Sequence, residues 1–103
     1  MDRIEKLKEF LVKSPTDSFI QHALALEYIK IGDDISARTL FEQLLSANPG
    51  YAGSYYHLGK LLERNGDIEN AIRIYRQGIT AAKGSADLHT QQELQAALLE
   101  LTD

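Results

Sequence analysis

The chain echoes itself at an offset of 34 residues. Leu24, Gly32, Asp33, Ala37, Gln43 and Ala47 return as Leu58, Gly66, Asp67, Ala71, Gln77 and Ala81. Phe41 returns as a second aromatic, Tyr75, and small Ala25 as small Gly59. A fixed period in this range marks an array of like units, each burying its apolar face against a neighbour. The period restricts the fold to one supersecondary unit used more than once.

Within the period, apolar residues recur at helical spacing. Ile4, Leu7, Phe10 and Leu11 predict a first helix over about 2–13, closed ahead of Pro15. Asp17 and Ser18 cap a second helix running to about Ile31, with Ile20, Leu24, Tyr28 and Ile31 inward. Gly32-Asp33 is a tight joint. Its glycine suits the left-handed turn that ends one helix, and its carboxylate accepts from the free amides that open the next. A third helix follows over about 34–47, with Ala37, Leu40, Phe41, Leu44 and Leu45 inward, and Asn48-Pro49-Gly50 stops it. The cycle returns in a helix over about 52–65 (Tyr55, Leu58, Gly59, Leu62), the Gly66-Asp67 joint, and a helix over about 68–82 (Ala71, Ile72, Tyr75, Ile79). Gly84-Ser85 is read as the break before a sixth helix, about 86–102, with Leu88, Leu94, Leu98 and Leu101 inward. Short connections make neighbouring helices antiparallel. Ala25 and Gly59 are read as crossing points of two helices within a unit, with Ala37 and Ala71 facing them. Phe41 and Tyr75 are read as filling the space between units.

These residues resemble the tetratricopeptide repeat family. With Ser18 as first position, Leu24-Ala25, Tyr28, Gly32, Ala37, Phe41 and Pro49 follow the family pattern. With Ala52 as first position, Tyr55, Leu58-Gly59, Leu62, Gly66, Ala71, Tyr75 and Gly78 follow it again. The departures are Leu44, where a small residue is usual, and Gln92-Glu93, where a leucine and a small residue are expected. The resemblance implies an all-α fold of about six helices, antiparallel helix-turn-helix repeats stacked in a right-handed superhelix, an α-solenoid. It divides the 103 residues into an N-terminal half-repeat helix (2–15), repeat 1 (18–51), repeat 2 (52–85) and a C-terminal capping helix (86–102). Three units' worth of helices is what such arrays need for stability.

The composition narrows function by exclusion. The net charge of −4 and the pI near 5.3 oppose a nucleic-acid footprint, which needs clustered Lys and Arg. Absence of cysteine removes disulfides and thiolate chemistry and suits a reducing compartment. No secretory signal or membrane-length apolar run is visible, so the chain is read as cytoplasmic with no membrane partner. No Ser-His-Asp arrangement, phosphate loop or metal-ligand spacing stands out; the chain is read as a non-enzyme without cofactor, metal or catalytic residue. Gly53 and Gly59-Lys60 only loosely imitate a phosphate loop and lie inside a helix.

The resemblance implies instead a scaffold or adaptor that takes a peptide or amphipathic helix of another protein in a concave groove lined by the first helix of each repeat. The groove positions fall on Phe19, His22, Leu26, Ile29 and Lys30, and on Tyr56, Lys60, Glu63 and Arg64. Asp87, Thr90, Leu94, Ala97 and Leu98 would extend them onto the last helix. Phe19, Leu26, Ile29 and Tyr56 lie off the core stripes, and a helix apolar on two faces contacts something on both. Lys30, Lys60 and Arg64 would border the groove for an acidic flank. The carboxylate clamp of chaperone-binding relatives is absent: its positions carry His22, Leu26, His57, Asp87 and Gln91. The alternative is a self-associating structural domain, a homodimer pairing through Leu94, Leu98 and Leu101 or through Ile4 and Leu7.

Overall fold

The computed structural model describes residues 2–102, which contain helices and no strand. The six helices are α1 (Arg3–Lys13), α2 (Ser18–Lys30), α3 (Asp34–Ala47), α4 (Gly53–Arg64), α5 (Ile68–Gly84) and α6 (Leu88–Thr102). They fall into two compact units, one ending at Asn48 and holding α1–α3, the other beginning at Pro49 and holding α4–α6.

In the first unit, carboxylates open every helix. Asp2 accepts from the Glu5 amide (2.9 Å), Asp17 from Ile20 (3.1 Å) and Asp33 from Ser36 (3.1 Å). Each satisfies an amide that has no partner inside its own helix. The α2–α3 joint closes as its residues require. Gly32 takes φ +81°, its amide donates to Ile29 (3.0 Å), and the Asp33 amide reaches back to Tyr28 (2.9 Å). Leu7, Leu24, Ala25, Ala37, Phe41 and Leu44 are buried. Asn48 donates to the Ser18 hydroxyl (3.0 Å), tying the end of α3 to the start of α2. Ile31 is not part of the inward stripe. It is the residue that caps α2, and it is 65% exposed. Phe10 is half-exposed as well.

The second unit repeats the joint at Gly66 (φ +82°), with the Asp67 amide donating to Leu62 (2.9 Å). Its core is closed by two close approaches. A methyl group on Gly59 would overlap the ring of Tyr75, and one on Gly78 would lie 2.5 Å from Tyr55 Cβ and 2.9 Å from Leu94 Cδ1. Gly78 is therefore where α4, α5 and α6 meet. Tyr75 fills the crossing inside its own hairpin, and Phe41 likewise meets His22 of its own hairpin, ring centroids 5.7 Å apart.

The second unit departs from the period at its last connection. α5 runs 17 residues, two further than the expected end near 82, and stops at Gly84 with Ser85 as its cap. The closing turn then falls at Ala86-Asp87, built like the two glycine joints. Ala86 donates to Lys83 (3.2 Å), Asp87 donates to Ala82 (2.9 Å), and the Asp87 carboxylate accepts from Thr90 (3.1 Å). Ala86 holds φ +56° there, a left-handed conformation that costs a residue with a Cβ. The register of α6 moves accordingly. Thr90, Leu94 and Ala97 are buried, spaced as Ser54, Leu58 and Leu61 are, 36 residues earlier rather than 34. A slip of two residues turns a helix by about 200°. Thr90 and Ala97, expected on a groove, are thus core; Leu94 is buried as its place on the inward stripe required, and Leu88, expected inward, is 62% exposed. Leu94 also takes the place of Leu58, so the missing leucine of the pattern is present after all. Leu7 and Leu94 are buried within their own units and are not free to pair with a second copy.

Candidate partner-binding faces

In the first unit the predicted face lies on α2. Phe19 is 72% exposed in its first turn, whereas Leu26 and Ile29 are half-buried further along. His22 is half-buried and rests edge-on against Phe41, so it belongs partly to the hairpin core. Lys30 is exposed but held: its ammonium lies 3.1 Å from Glu27, which Arg3 of α1 also approaches at 3.4 Å. Glu27, not singled out by the sequence, is the anionic centre of this face.

In the second unit the face lies on α4. Tyr56 is half-buried, edge-on to His57 with centroids 5.5 Å apart, and carries the Lys60 ammonium 5.7 Å from its ring centre. Lys60 also lies 3.6 Å from Glu63. The Glu63 carboxylate accepts a hydrogen bond from the Tyr75 hydroxyl, which reaches it from α5. Burial, and then that carboxylate, drive the Tyr75 phenol well above its ordinary pKa, so it stays a donor. Arg64 is exposed at the end of α4. Lys30 and Lys60, read as a border for an acidic partner, are thus each matched by a glutamate on their own helix.

α6 supplies neighbours that the 34-residue register concealed. Burial depresses the pKa of His57 on α4, and the charge of Glu93 on α6 partly opposes this. Glu93 in turn lies 3.8 Å from His89 one turn away. The charge of Glu100, two turns beyond Glu93, is felt at the Tyr75 hydroxyl. Shifted by two residues, the clamp positions on α6 become His89 and Glu93 instead of Asp87 and Gln91, and a carboxylate stands where a clamp needs a cation. Among the described residues no three His, Cys, Asp or Glu side chains are placed to hold a metal ion, and no helix is long and apolar enough to cross a membrane.

The family model for the tetratricopeptide repeat matches residues 35–98. The chain belongs to the tetratricopeptide repeat family. A tetratricopeptide repeat domain protein of Salinibacter ruber, known from a crystal structure, is 42% identical, with a TM-score of 0.80 over 84% of this chain and 96% of its own. A TPR repeat-containing protein of Pseudomonas aeruginosa is 26% identical over 98 residues, 95% of this chain and 93% of its length. A segment of the human aspartyl/asparaginyl beta-hydroxylase is 27% identical over 73 residues, 71% of this chain but only 10% of that enzyme. The tetratricopeptide fold is in general a non-catalytic fold for protein–protein interaction; this chain is a protein–protein interaction module, an all-α TPR-like solenoid with six helices among the described residues.

Proposed function

We propose that this module is a non-enzymatic scaffold or adaptor whose partner is a peptide segment or amphipathic helix, taken on the first helix of each repeat. The contact residues are Phe19, His22, Leu26, Ile29 and Lys30 on α2, and Tyr56, Lys60, Glu63 and Arg64 on α4. In the tetratricopeptide family these helices line the concave side. The observation that carries the reading is Phe19, a phenylalanine 72% exposed on a helix whose opposite face is core. Large exposed apolar side chains mark interaction surfaces when they continue into half-buried ones, as Phe19 does into Leu26 and Ile29. The test is affinity capture from the source cell's lysate with the wild-type chain and with Leu26→Glu/Tyr56→Ala, both first shown to be helical and equally stable. A protein retained by the wild type and lost by the variant supports the reading; an identical catch from both removes it.

Self-association is the second reading, favoured by exposed Leu88 and Leu99 on α6. Light scattering on a concentration series decides it, and a monomer throughout eliminates it.

A further inference from the structure

The α4–α5 joint carries a reactive dipeptide. Asn65-Gly66 sets a side-chain amide beside a backbone nitrogen whose own residue has no Cβ to hinder attack. Both residues are exposed. The other two asparagines lack that pairing. Asn48 precedes Pro49, which has no N–H, and Asn70 precedes Ala71, buried in the hairpin core. Asn70 is also held, its side-chain amide donating to the Asp67 carboxylate at 2.8 Å.

The joint that uses this dipeptide also restrains it. Asn65 caps α4 with φ −90° and ψ 7°. At that ψ the Gly66 nitrogen eclipses the Asn65 nitrogen about the Cα–C bond, whereas ring closure through the side chain needs it to eclipse Cβ. The side chain is turned back along the helix, Nδ2 donating to the Leu61 carbonyl at 3.0 Å. The Gly66 N–H is engaged as well, donating to Glu63 at 3.0 Å, and the Asp67 amide closes the turn on Leu62 at 2.9 Å. Attack of Gly66 on Asn65 therefore requires both the side-chain bond and the Gly66 backbone bond to open, and the chain to rotate between them.

We propose that Asn65 is a site of spontaneous deamidation whose rate is set by opening of the α4–α5 joint. In the opened joint the Gly66 nitrogen attacks Asn65 Cγ. An N–Cγ bond forms, the Cγ–Nδ2 bond breaks, and ammonia leaves with the proton that Gly66 loses. Water then opens the cyclic imide. Opening at Cγ gives aspartate; opening at the main-chain carbonyl gives isoaspartate, with the chain running through Cγ. Nothing is oxidised or reduced. Either product puts a carboxylate at the negative end of α4. Isoaspartate also inserts a carbon between the cap of α4 and the left-handed Gly66, so a joint that has reacted while open cannot close to the same turn. Neither step depends on which partner the module binds.

The test incubates the full chain at neutral pH, folded in buffer and unfolded in urea. Each asparagine is followed by peptide mass spectrometry, and isoaspartate by enzymatic methylation. In urea, Asn65 is expected to convert well ahead of Asn48 and Asn70. In the folded chain its conversion is expected to be at least about tenfold slower, since two hydrogen bonds must open first. Asp67→Ala removes the carboxylate that caps α5 through the Asn70 amide; it is expected to raise the folded rate about fivefold and to leave the urea rate unchanged. Gly66→Val, read only in urea so that folding plays no part, is expected to suppress conversion at Asn65. Equal rates folded and unfolded, or a folded rate that Asp67→Ala does not raise, overturn control by the joint. Asn65 no faster than Asn70 in urea overturns the site itself, and undiminished conversion in Gly66→Val overturns attack by Gly66.

Discussion

A methyl group on Gly59 would enter the ring of Tyr75, which has no exposed surface toward which to retreat. Gly59→Ala is therefore expected to destabilise the second unit by about 1–3 kcal/mol, the range for overpacking a filled core, measured by urea denaturation. The opposite result is expected at Ala86. Its left-handed backbone costs about 1–2 kcal/mol, and a glycine there gives back about 0.4–1 kcal/mol through a freer unfolded chain. Ala86→Gly should thus stabilise by about 0.5–1 kcal/mol, seen as a higher urea midpoint with an unchanged slope. A lower midpoint would mean that the turn tolerates its alanine without strain. His57 makes a pH prediction whose sign is fixed by burial. Its folded pKa lies below the ordinary 6.5, so the unfolded chain takes up the proton first. The contribution of neutral His57 is complete above 6.5 and is lost as the pH falls below it toward the depressed folded value. His57→Gln should flatten stability between pH 7 and 5; a variant as acid-sensitive as the wild type in that window would place the titration elsewhere.

At the scale of the helices, the caps were legible and the last boundary was not. Gly32-Asp33 and Gly66-Asp67 announce a left-handed residue followed by an accepting carboxylate, and both form as read. Ala86-Asp87 makes the same turn without the glycine, while Gly84, the residue that signalled a break, is the last residue of the helix and does not itself form the left-handed turn. Glycine is permitted in a left-handed turn but not confined to it, so composition alone could not separate these positions. The two-residue error then turned α6 by about 200°, presenting buried Thr90 and Ala97 as part of an open face and Leu88 as core. On α2 and α4, Phe19 is exposed and Leu26, Ile29 and Tyr56 are partly exposed. The ion pairs of Lys30 and Lys60 did not show, although each partner is three residues away, because that spacing permits a pair without requiring one. Removing the cap at Asp33 by alanine, which deprives Ser36 of its acceptor, should cost about 1 kcal/mol, measured by thermal unfolding of the full chain.

At the scale of the whole molecule, the 34-residue echo carried the family, because a repeated core must repeat its sizes as well as its polarity: Ala25 and Gly59, Ala37 and Ala71, Phe41 and Tyr75. The net charge of −4 bears on partners. A single-stranded RNA probe is expected not to bind at physiological salt, since the excess of acidic over basic residues repels its phosphates; saturable binding in an electrophoretic mobility shift would contradict that. The irregular turn between α5 and α6 has a practical meaning for anyone wishing to lengthen this domain. A consensus repeat spliced on after residue 85 at the family spacing would begin its first helix two residues out of register with the turn that follows α5. Trimming two residues from the end of α5 would bring that joint back to the 34-residue spacing. The chain thus carries its own mark of where it can be extended and where it resists extension.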